Sequence, residues 1–182
     1  MPRAGDRGSQ EVEKMLEWIK ARRSIRKYTP EPVSDEQLQA LLEAAMASPS
    51  ASNRQPWEFV VVRDGALRQA LSQVHQWAYM AAQAPVVIVV CGREDVSRHW
   101  VEDCSAATEN LLLAVTTLGL GAAWVGIHPD AEREAKVRRI LRLPERLRVL
   151  CLVPLGHPAE KHPPRTQYDP AKVHCDLFSA IE

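Results

Sequence analysis

PVVIVVC, residues 85–91, is an unbroken apolar run near the middle of the chain. The run has the length of a strand and is rich in β-branched side chains, which favour strands over helices. A strand that is apolar at every position, rather than at every second one, is typical of a sheet that is covered on both faces. The run therefore predicts a central strand that is buried on both faces.

Helix and strand patterns alternate on both sides of this run. Ser34 has the features of an N-cap with Gln37 at the capping-box position, and Gly119 and Gly121 end the longest helix, where a C-cap can use a positive φ. Predicted helices cover residues 11–22, 34–47, 64–74, 98–118 and 130–142; predicted strands cover 58–62, 85–91, 122–127 and 147–155. Without a repeat or a linker, residues 11–182 are predicted to form one α+β domain after a disordered tail at 1–10.

Composition excludes several classes of partner. The 182 residues contain 23 Lys+Arg and 23 Asp+Glu, so the chain as a whole has no electrostatic preference for nucleic acid or for an anionic membrane. No run approaches the ~20 apolar residues of a membrane span, and the polar N-terminus lacks the apolar stretch of a signal peptide. The four cysteines are widely spaced and are interpreted as reduced packing residues, which favours a cytoplasmic protein.

Two polar clusters stand out against this neutral background. Residues 22–26 (RRSIR) follow the first predicted helix, and residues 50–57 (SASNRQPW) come about two dozen residues later. An arginine in the last turn of a helix complements the helix dipole, whereas three arginines with a serine also suit a phosphate group. The residues alone leave both interpretations open. The second cluster has the donors and acceptors to hydrogen-bond the edge of a planar ligand, and together the clusters suggest a phosphorylated cofactor.

Other site types have weaker support. Gly119, Gly121 and Gly126 lack the G-x-G-x-x-G spacing and lie between a helix and a strand, the reverse of the order in a dinucleotide site. His157 and His162 have no third metal ligand near them in sequence, so no metal site is predicted. No serine lies in a nucleophile elbow, although a Cys–His–Asp arrangement formed in space stays open.

Four segments in this order resemble the nitroreductase family of FMN-dependent flavoproteins. They are residues 22–32 (RRSIRKYTPEP), 48–62 (SPSASNRQPWEFVVV), 103–127 ending GLGAAWVGI, and the tail 156–174 (GHPAEKHPPRTQYDPAKVH). The likeness spans residues 12–175. It implies a three-layer nitroreductase-like fold, with a central mixed or antiparallel sheet flanked by helices and a C-terminal tail exchanged within a homodimer.

The resemblance also assigns roles to individual residues. Arg22 and Arg23 match positions that bind the FMN phosphate and ribityl chain, Ser24 matches a hydroxyl that contacts the ring or ribityl chain, and Arg26 matches a basic residue near the flavin pyrimidine. Three residues match a segment that reaches the flavin edge from the partner subunit: Ser50, Ala51 and Asn53. Three more match a strand end whose backbone approaches the dimethylbenzene–N5 side: Val125, Gly126 and Ile127.

The tail completes the expected phosphate site. Arg165 matches a residue that closes on the phosphate, while Gln167 stands where the family often has a second basic residue. That departure implies weaker binding of the phosphate, not its loss.

The activity that the resemblance implies is that of an FMN-dependent oxidoreductase. It would transfer a hydride from NADH or NADPH through flavin N5 to a flat, electron-poor small molecule, such as a nitroaromatic or a quinone, by a ping-pong mechanism without a catalytic side chain. Two alternatives remain: a specialised flavin enzyme of the same fold (a dehydrogenase, a dehalogenase or a flavin-fragmenting enzyme), and a non-catalytic FMN-binding protein.

Overall fold

The structure, a computed structural model, describes residue 13 and residues 16–178 of the chain. The helices are α1 (residue 13 and residues 16–21), α2 (Asp35–Met46), α3 (Gly65–Leu71), α4 (Trp100–Thr117) and α5 (Ala131–Leu141). The strands are β1 (Trp57–Val62), β2 (Val86–Gly92), β3 (Gly121–Ala122), β4 (Val125–Gly126) and β5 (Arg148–Gly156). Short 3₁₀ helices lie at Ala51–Asn53, Gln76–Ala82 and Pro170–Lys172. The predicted tail at 1–10 and the predicted helical positions Val12 and Met15 lie outside the described residues.

The five strands form one sheet in the order β1-β2-β5-β3, with β4 also paired to β5. Neighbouring strands are antiparallel, as in the pairs Phe59↔Val90 and Val89↔Leu152. A single parallel bridge joins Ser24 to Ala122, which makes the sheet mixed. All of β2 is buried, so the predicted central strand is confirmed.

Side chains that alternate along β2 point into two separate cores. Val86, Ile88 and Val90 pack in the cluster that holds the apolar faces of α2 and α4. Val87, Val89 and Cys91 pack on the other face, in the cluster that includes residues of α3, α5 and the 3₁₀ helix Gln76–Ala82. Because successive strand side chains point to opposite faces, an entirely apolar strand serves both cores. The predicted three-layer fold, with helices on both faces of the sheet, is confirmed.

The prediction of one strand at 122–127 was wrong in detail. The segment forms two short strands, β3 and β4, that both pair with β5. Between them Ala123 donates its backbone N–H to Pro154 O at 3.2 Å, and Pro154 has no N–H to return a second hydrogen bond. The ladder is therefore interrupted at the proline.

The two glycines after α4 have different roles. Gly119 adopts φ +71°, as the C-cap interpretation predicts. Gly121 is instead the first residue of β3, where an added Cβ would lie 2.7 Å from Ile25 Cβ. Gly121 is therefore required because Ile25 approaches its backbone closely, and not because of a positive φ.

The capping box at the start of α2 provides a local test of the fold. Ser34 Oγ accepts the Gln37 N–H at 3.2 Å, and Gln37 Oε1 accepts the Ser34 N–H at 3.0 Å. We expect Ser34→Ala to lower the free energy of unfolding by about 1 kcal/mol in urea titrations, and Ser34→Gly by only a few tenths, because glycine is itself an acceptable N-cap. Equal losses in the two variants would contradict this role for the hydroxyl.

Candidate cofactor site

Residues 22–26 leave the end of α1 and lie against the edge of the sheet. Ser24 bridges to Ala122 in β3, and the Ile25 N–H donates to Ala122 O at 2.8 Å. Ile25 is buried over Gly121, while the side chain of Arg26 is exposed. The segment therefore has an extended geometry in which the isoleucine anchors the backbone and the flanking polar side chains point away from the core.

Residues 157–165, which we call the tail strap, run antiparallel to residues 20–29. The strap also accepts a hydrogen bond from the Arg23 guanidinium at Pro163 O. Its backbone hydrogen bonds join Thr29 N to His157 O (2.9 Å), Ala159 N to Lys27 O (2.9 Å) and Arg165 N to Lys20 O (3.1 Å). The strap thus brings Arg165, more than 130 residues away in sequence, to the end of α1 beside the arginine cluster.

The four predicted arginines differ in what they contact. Arg22 Nε lies 3.4 Å from Glu109 Oε1, in a pair whose carboxylate side chain is 50% exposed. Arg23 is bonded to the strap, as described above. Within residues 16–178, the guanidinium groups of Arg26 and Arg165 have neither a hydrogen bond nor an ion pair. Free guanidinium donors suit the phosphate and the polar ring atoms of FMN, so these residues fit that cofactor.

A cavity of about 300 Å³ lies next to this segment. Arg26 lines it together with Val125 and Gly126, and an added Cβ on Gly126 would meet no atom within 4 Å. The remaining lining residues come from the loop after β3, from the 3₁₀ helix Gln76–Ala82 and the residue before it, and from α5: His75, Trp77, Met80, Ala123, Trp124 and Arg133. A mixed lining of aromatic, apolar and cationic groups is compatible with binding of a small molecule.

Ile127 does not line this cavity. Its side chain is fully buried among the residues around α5, and its N–H donates to Leu150 O at 3.0 Å. Of the three residues predicted at the strand end, the structure therefore places Val125 and Gly126 at the cavity and Ile127 behind it.

The segment 50–53 does not line the cavity beside Arg26. Ala51 N–H donates to Asp103 Oδ1 at 2.8 Å, near the start of α4, and Ser52 and Asn53 both adopt φ 52°. Ala51 and Ser52 line a different cleft, of about 520 Å³, together with Arg54 and residues 94–99. Over the described range, no hydrogen bond or ion pair joins Ser50, Ala51 or Asn53 to residues 22–26 or to Arg165.

Glu160, to which neither residue type nor the family resemblance gives a role, contacts the segment that carries Arg26. Its Oε1 accepts the backbone N–H of Arg26 at 2.7 Å. This hydrogen bond, with a smaller contribution from the nearby His162, holds the pKa of the Glu160 carboxyl below its usual value. Glu160 belongs to the tail segment 156–174, whose sequence resembles the nitroreductase family. Its contact with the Arg26 N–H becomes visible only in the folded chain.

The buried cysteines are poorly suited to nucleophilic chemistry. Cys91, Cys104 and Cys151 are buried and free; burial raises the pKa of Cys91 and of Cys104 to about 12, which makes them poor nucleophiles. No group of three His, Cys, Asp or Glu side chains that could hold a metal occurs between residues 16 and 178. Across the same residues, none of the helices has the length and apolar character to cross a membrane.

Comparison with known proteins decides the family. A model of the nitroreductase family matches residues 19–77 and 73–157, which together are most of the chain. The chain belongs to the nitroreductase family. The match includes the arginine cluster, the 50–53 segment and the strand end at Gly126, and it confirms the family that the four motifs predict.

Relatives within the nitroreductase family are similar over nearly their whole length. A Methanothermobacter thermautotrophicus protein with the provisional name NADH dehydrogenase/NAD(P)H nitroreductase is 42% identical over 90% of this chain and 87% of its own length. An Archaeoglobus fulgidus protein of the same name is 40% identical over 92% and 100%. A solved structure from Parabacteroides distasonis, also provisionally given this name, superposes with a TM-score of 0.88 at 38% identity, covering 91% and 99%.

Two further nitroreductase-fold structures were solved with ligands. A Desulfovibrio desulfuricans protein, provisionally named a nitroreductase, was solved in complex with FMN (31% identity, TM-score 0.77, covering 91% and 98%). The NADPH:FMN oxidoreductase of Vibrio harveyi was solved in complex with NAD⁺ (29% identity, TM-score 0.80, covering 92% and 79%).

Proposed function

We propose that the chain is an FMN-dependent NAD(P)H oxidoreductase that transfers a hydride to a flat, electron-poor acceptor, such as a nitroaromatic or a quinone, in a ping-pong cycle. The observation that carries the proposal is a cavity lined by Arg26 and Gly126. The segment that carries Arg26 begins at Arg22, and near its start the tail strap carrying Arg165 is bonded to Lys20 O. Relatives with names and ligands of this class support it. Bound FMN would supply the two-electron redox chemistry.

The arginines at the end of α1 would hold the phosphate. Arg22 can exchange its exposed pair with Glu109 for a phosphate oxygen at little cost, because surface ion pairs contribute only about 0–1 kcal/mol. Arg165 brings a second, unpaired guanidinium from the strap. Ser24 and Arg23 add a hydroxyl and a further cation nearby, so phosphate recognition is shared between α1 and the tail.

Arg26 would act at the ring end of the site. Its unpaired guanidinium lines the cavity beside Val125 and Gly126, where a fixed positive charge stabilises the negative charge that two-electron reduction adds. The open space at Gly126 lets a flat group approach the backbone closely. No side chain is needed as a proton donor, because solvent can supply protons to an open cavity.

A narrow acceptor range is not expected from this architecture. Between β1 and β2 the chain contains only α3 and the 3₁₀ helix Gln76–Ala82, without a long inserted lid that would enclose one complex substrate. Trp77 and Trp124 offer aromatic surface at the cavity, which suits flat acceptors in general. Support for a generic reductase therefore exceeds that for a specialised enzyme of the same fold.

The spectrum of the purified protein tests this function directly. We expect a visible flavin absorption band that is bleached under anaerobic conditions by NADH or NADPH and restored by a quinone or nitroaromatic, with parallel lines in double-reciprocal plots. A flavin band that neither nucleotide bleaches would contradict the proposal. That result would favour a dehydrogenase, dehalogenase or flavin-fragmenting enzyme, or a non-catalytic FMN-binding protein.

The proposed enzyme is a homodimer in which Ser50, Ala51 and Asn53 reach the flavin of the partner subunit. This would explain why these residues lie apart from the arginine cluster within one chain. The tail beyond the strap also has apolar side chains without a core of their own, with Leu177 79% and Phe178 81% exposed. We propose that this part of the tail is exchanged between the subunits.

Light scattering of the FMN-loaded protein should therefore give twice the chain mass of 20.4 kDa. Burial of exposed Leu177 and Phe178 on the partner subunit provides a hydrophobic driving force for association. Leu177→Ser with Phe178→Ser should weaken the dimer, so that the mass falls at low protein concentration. A monomeric mass with stoichiometric FMN bound would contradict the shared site.

The proposal also includes a single FMN-binding domain over residues 11–182 in a cytoplasmic protein. Support for the compartment comes from the four free cysteines, because thiols persist unpaired under reducing conditions.

A further inference from the structure

The segment that carries Arg26 is held from both sides. On one side, the Ile25 N–H is bonded to Ala122 O in β3 at 2.8 Å. On the other side, the Arg26 N–H is bonded to Glu160 Oε1 in the tail strap at 2.7 Å. Two successive backbone groups are thus attached to two different elements. The Arg26 backbone is therefore held by the sheet, by a side chain of the tail and, one residue on, by the bond between Ala159 N and Lys27 O.

At Arg26 the strap contributes a side-chain acceptor, whereas at Arg23 it accepts a hydrogen bond with a backbone carbonyl, Pro163 O. The neighbouring links at Thr29, Lys27 and Lys20 are bonds between backbone groups. At Arg26 the acceptor is a carboxylate whose pKa is lowered, so it is ionised at neutral pH. Charge-assisted hydrogen bonds of this kind are shorter and about twice as strong as neutral ones.

We propose that Glu160 is a positioning residue that fixes Arg26 at the flavin cavity and sets how much positive charge the cavity presents. The proposal rests on the proposed function. Because the Arg26 guanidinium makes no hydrogen bond or ion pair among the described residues, its location follows chiefly from the backbone that Glu160 helps to hold. The same carboxylate, which also lies 3.6 Å from His162 Nε2, places a negative charge at the Arg26 backbone. This charge would offset part of the guanidinium's effect on a ring in the cavity.

Two substitutions separate these roles. Glu160→Gln keeps an acceptor oxygen for the Arg26 N–H but removes the charge. We expect this variant to bind FMN within about threefold of the parent and to favour reduced over oxidised flavin by up to about tenfold, which raises the midpoint potential by up to about 30 mV for a two-electron couple. Glu160→Ala also removes the acceptor, and we expect FMN affinity to fall by about tenfold because Arg26 is no longer held in place.

Glu31→Gln is the matched control. Glu31 Oε1 lies 3.6 Å from His157 Nε2, so this variant removes an equal charge that also faces the strap but does not contact residues 22–26. Its FMN affinity and midpoint potential should equal those of the parent. Equal shifts of the potential in Glu31→Gln and Glu160→Gln would overturn the proposal, because the effect would then be general to the strap.

Amide hydrogen exchange on the FMN-free protein provides a test that does not need the cofactor. Exchange of peptides covering residues 23–29 should be at least tenfold faster in Glu160→Ala than in Glu160→Gln and Glu31→Gln, while exchange in β2 stays unchanged. Unchanged exchange at 23–29 in Glu160→Ala would refute the positioning role. If the parent protein binds no flavin, the proposed function fails, and this measurement still decides whether Glu160 holds the segment.

Discussion

The Arg22→Ala, Arg165→Ala double variant is expected to fold normally and to be purified without its flavin colour. Each guanidinium that binds a phosphate oxygen contributes about 1.5–3 kcal/mol through charge-assisted hydrogen bonds. Loss of two such contacts lowers FMN affinity by roughly 10²–10⁴-fold, since each 1.4 kcal/mol corresponds to a factor of ten. The measurement is the dissociation constant of FMN for the apoprotein, by quenching of flavin fluorescence.

Stability should be almost unaffected in this variant. The only ion pair that is lost joins Arg22 to the half-exposed Glu109, and the Arg165 side chain has no partner within the described chain. Arg139→Ala with Arg146→Ala removes the same charge from two exposed sites away from the cavity and serves as the control. Stoichiometric FMN in the Arg22/Arg165 variant would refute the phosphate assignment, whereas equal FMN loss in the control variant would indicate a general effect of net charge.

The sequence was sufficient to predict the layers of the fold because its patterns are local. An apolar run of strand length specifies burial on both faces wherever it occurs, and β2 shows that outcome. The Ser34 capping box is likewise a local hydrogen-bond pattern and occurs as predicted. The break between β3 and β4 could not be read in the same way, because it depends on Pro154 lying opposite Ala123. That register exists only after distant segments pair.

The candidate site likewise has residues that a local pattern identifies and residues that only the folded chain identifies. Arg22, Arg26 and Arg165 could be named from residue type and from the family resemblance, and the structure brings their segments together. Glu160 could not be assigned, since a glutamate in a polar tail has no local pattern that distinguishes it from a solvated one. Its role depends on the antiparallel register between the strap and residues 20–29, which puts its side chain opposite the Arg26 N–H.

Alanine substitutions at Gly121 and Gly126 add one methyl group each, the first in the packed interior beside Ile25 and the second at the cavity. An added Cβ at Gly121 would lie 2.7 Å from Ile25 Cβ, a backbone-proximal atom that cannot rotate away. We expect Gly121→Ala to lower the free energy of unfolding by about 2–3 kcal/mol, in the range for overpacked cores. Because Ile25 and Ser24 are attached to β3, FMN affinity should fall by about tenfold as the arginine segment is displaced.

Gly126→Ala should lower FMN affinity without lowering stability. Its added methyl meets no atom within 4 Å and would project beside the cavity that Gly126 lines with Arg26 and Val125. Stability should stay within about 0.5 kcal/mol of the parent, while FMN affinity falls by at least about tenfold because the methyl occupies space that a flat ring needs. Urea unfolding of the apoproteins and FMN titration measure the two quantities independently. If Gly126→Ala kept full FMN affinity, the cavity beside Arg26 could not be the ring site, and Gly121→Ala would then report only on the packing of Ile25 against the sheet.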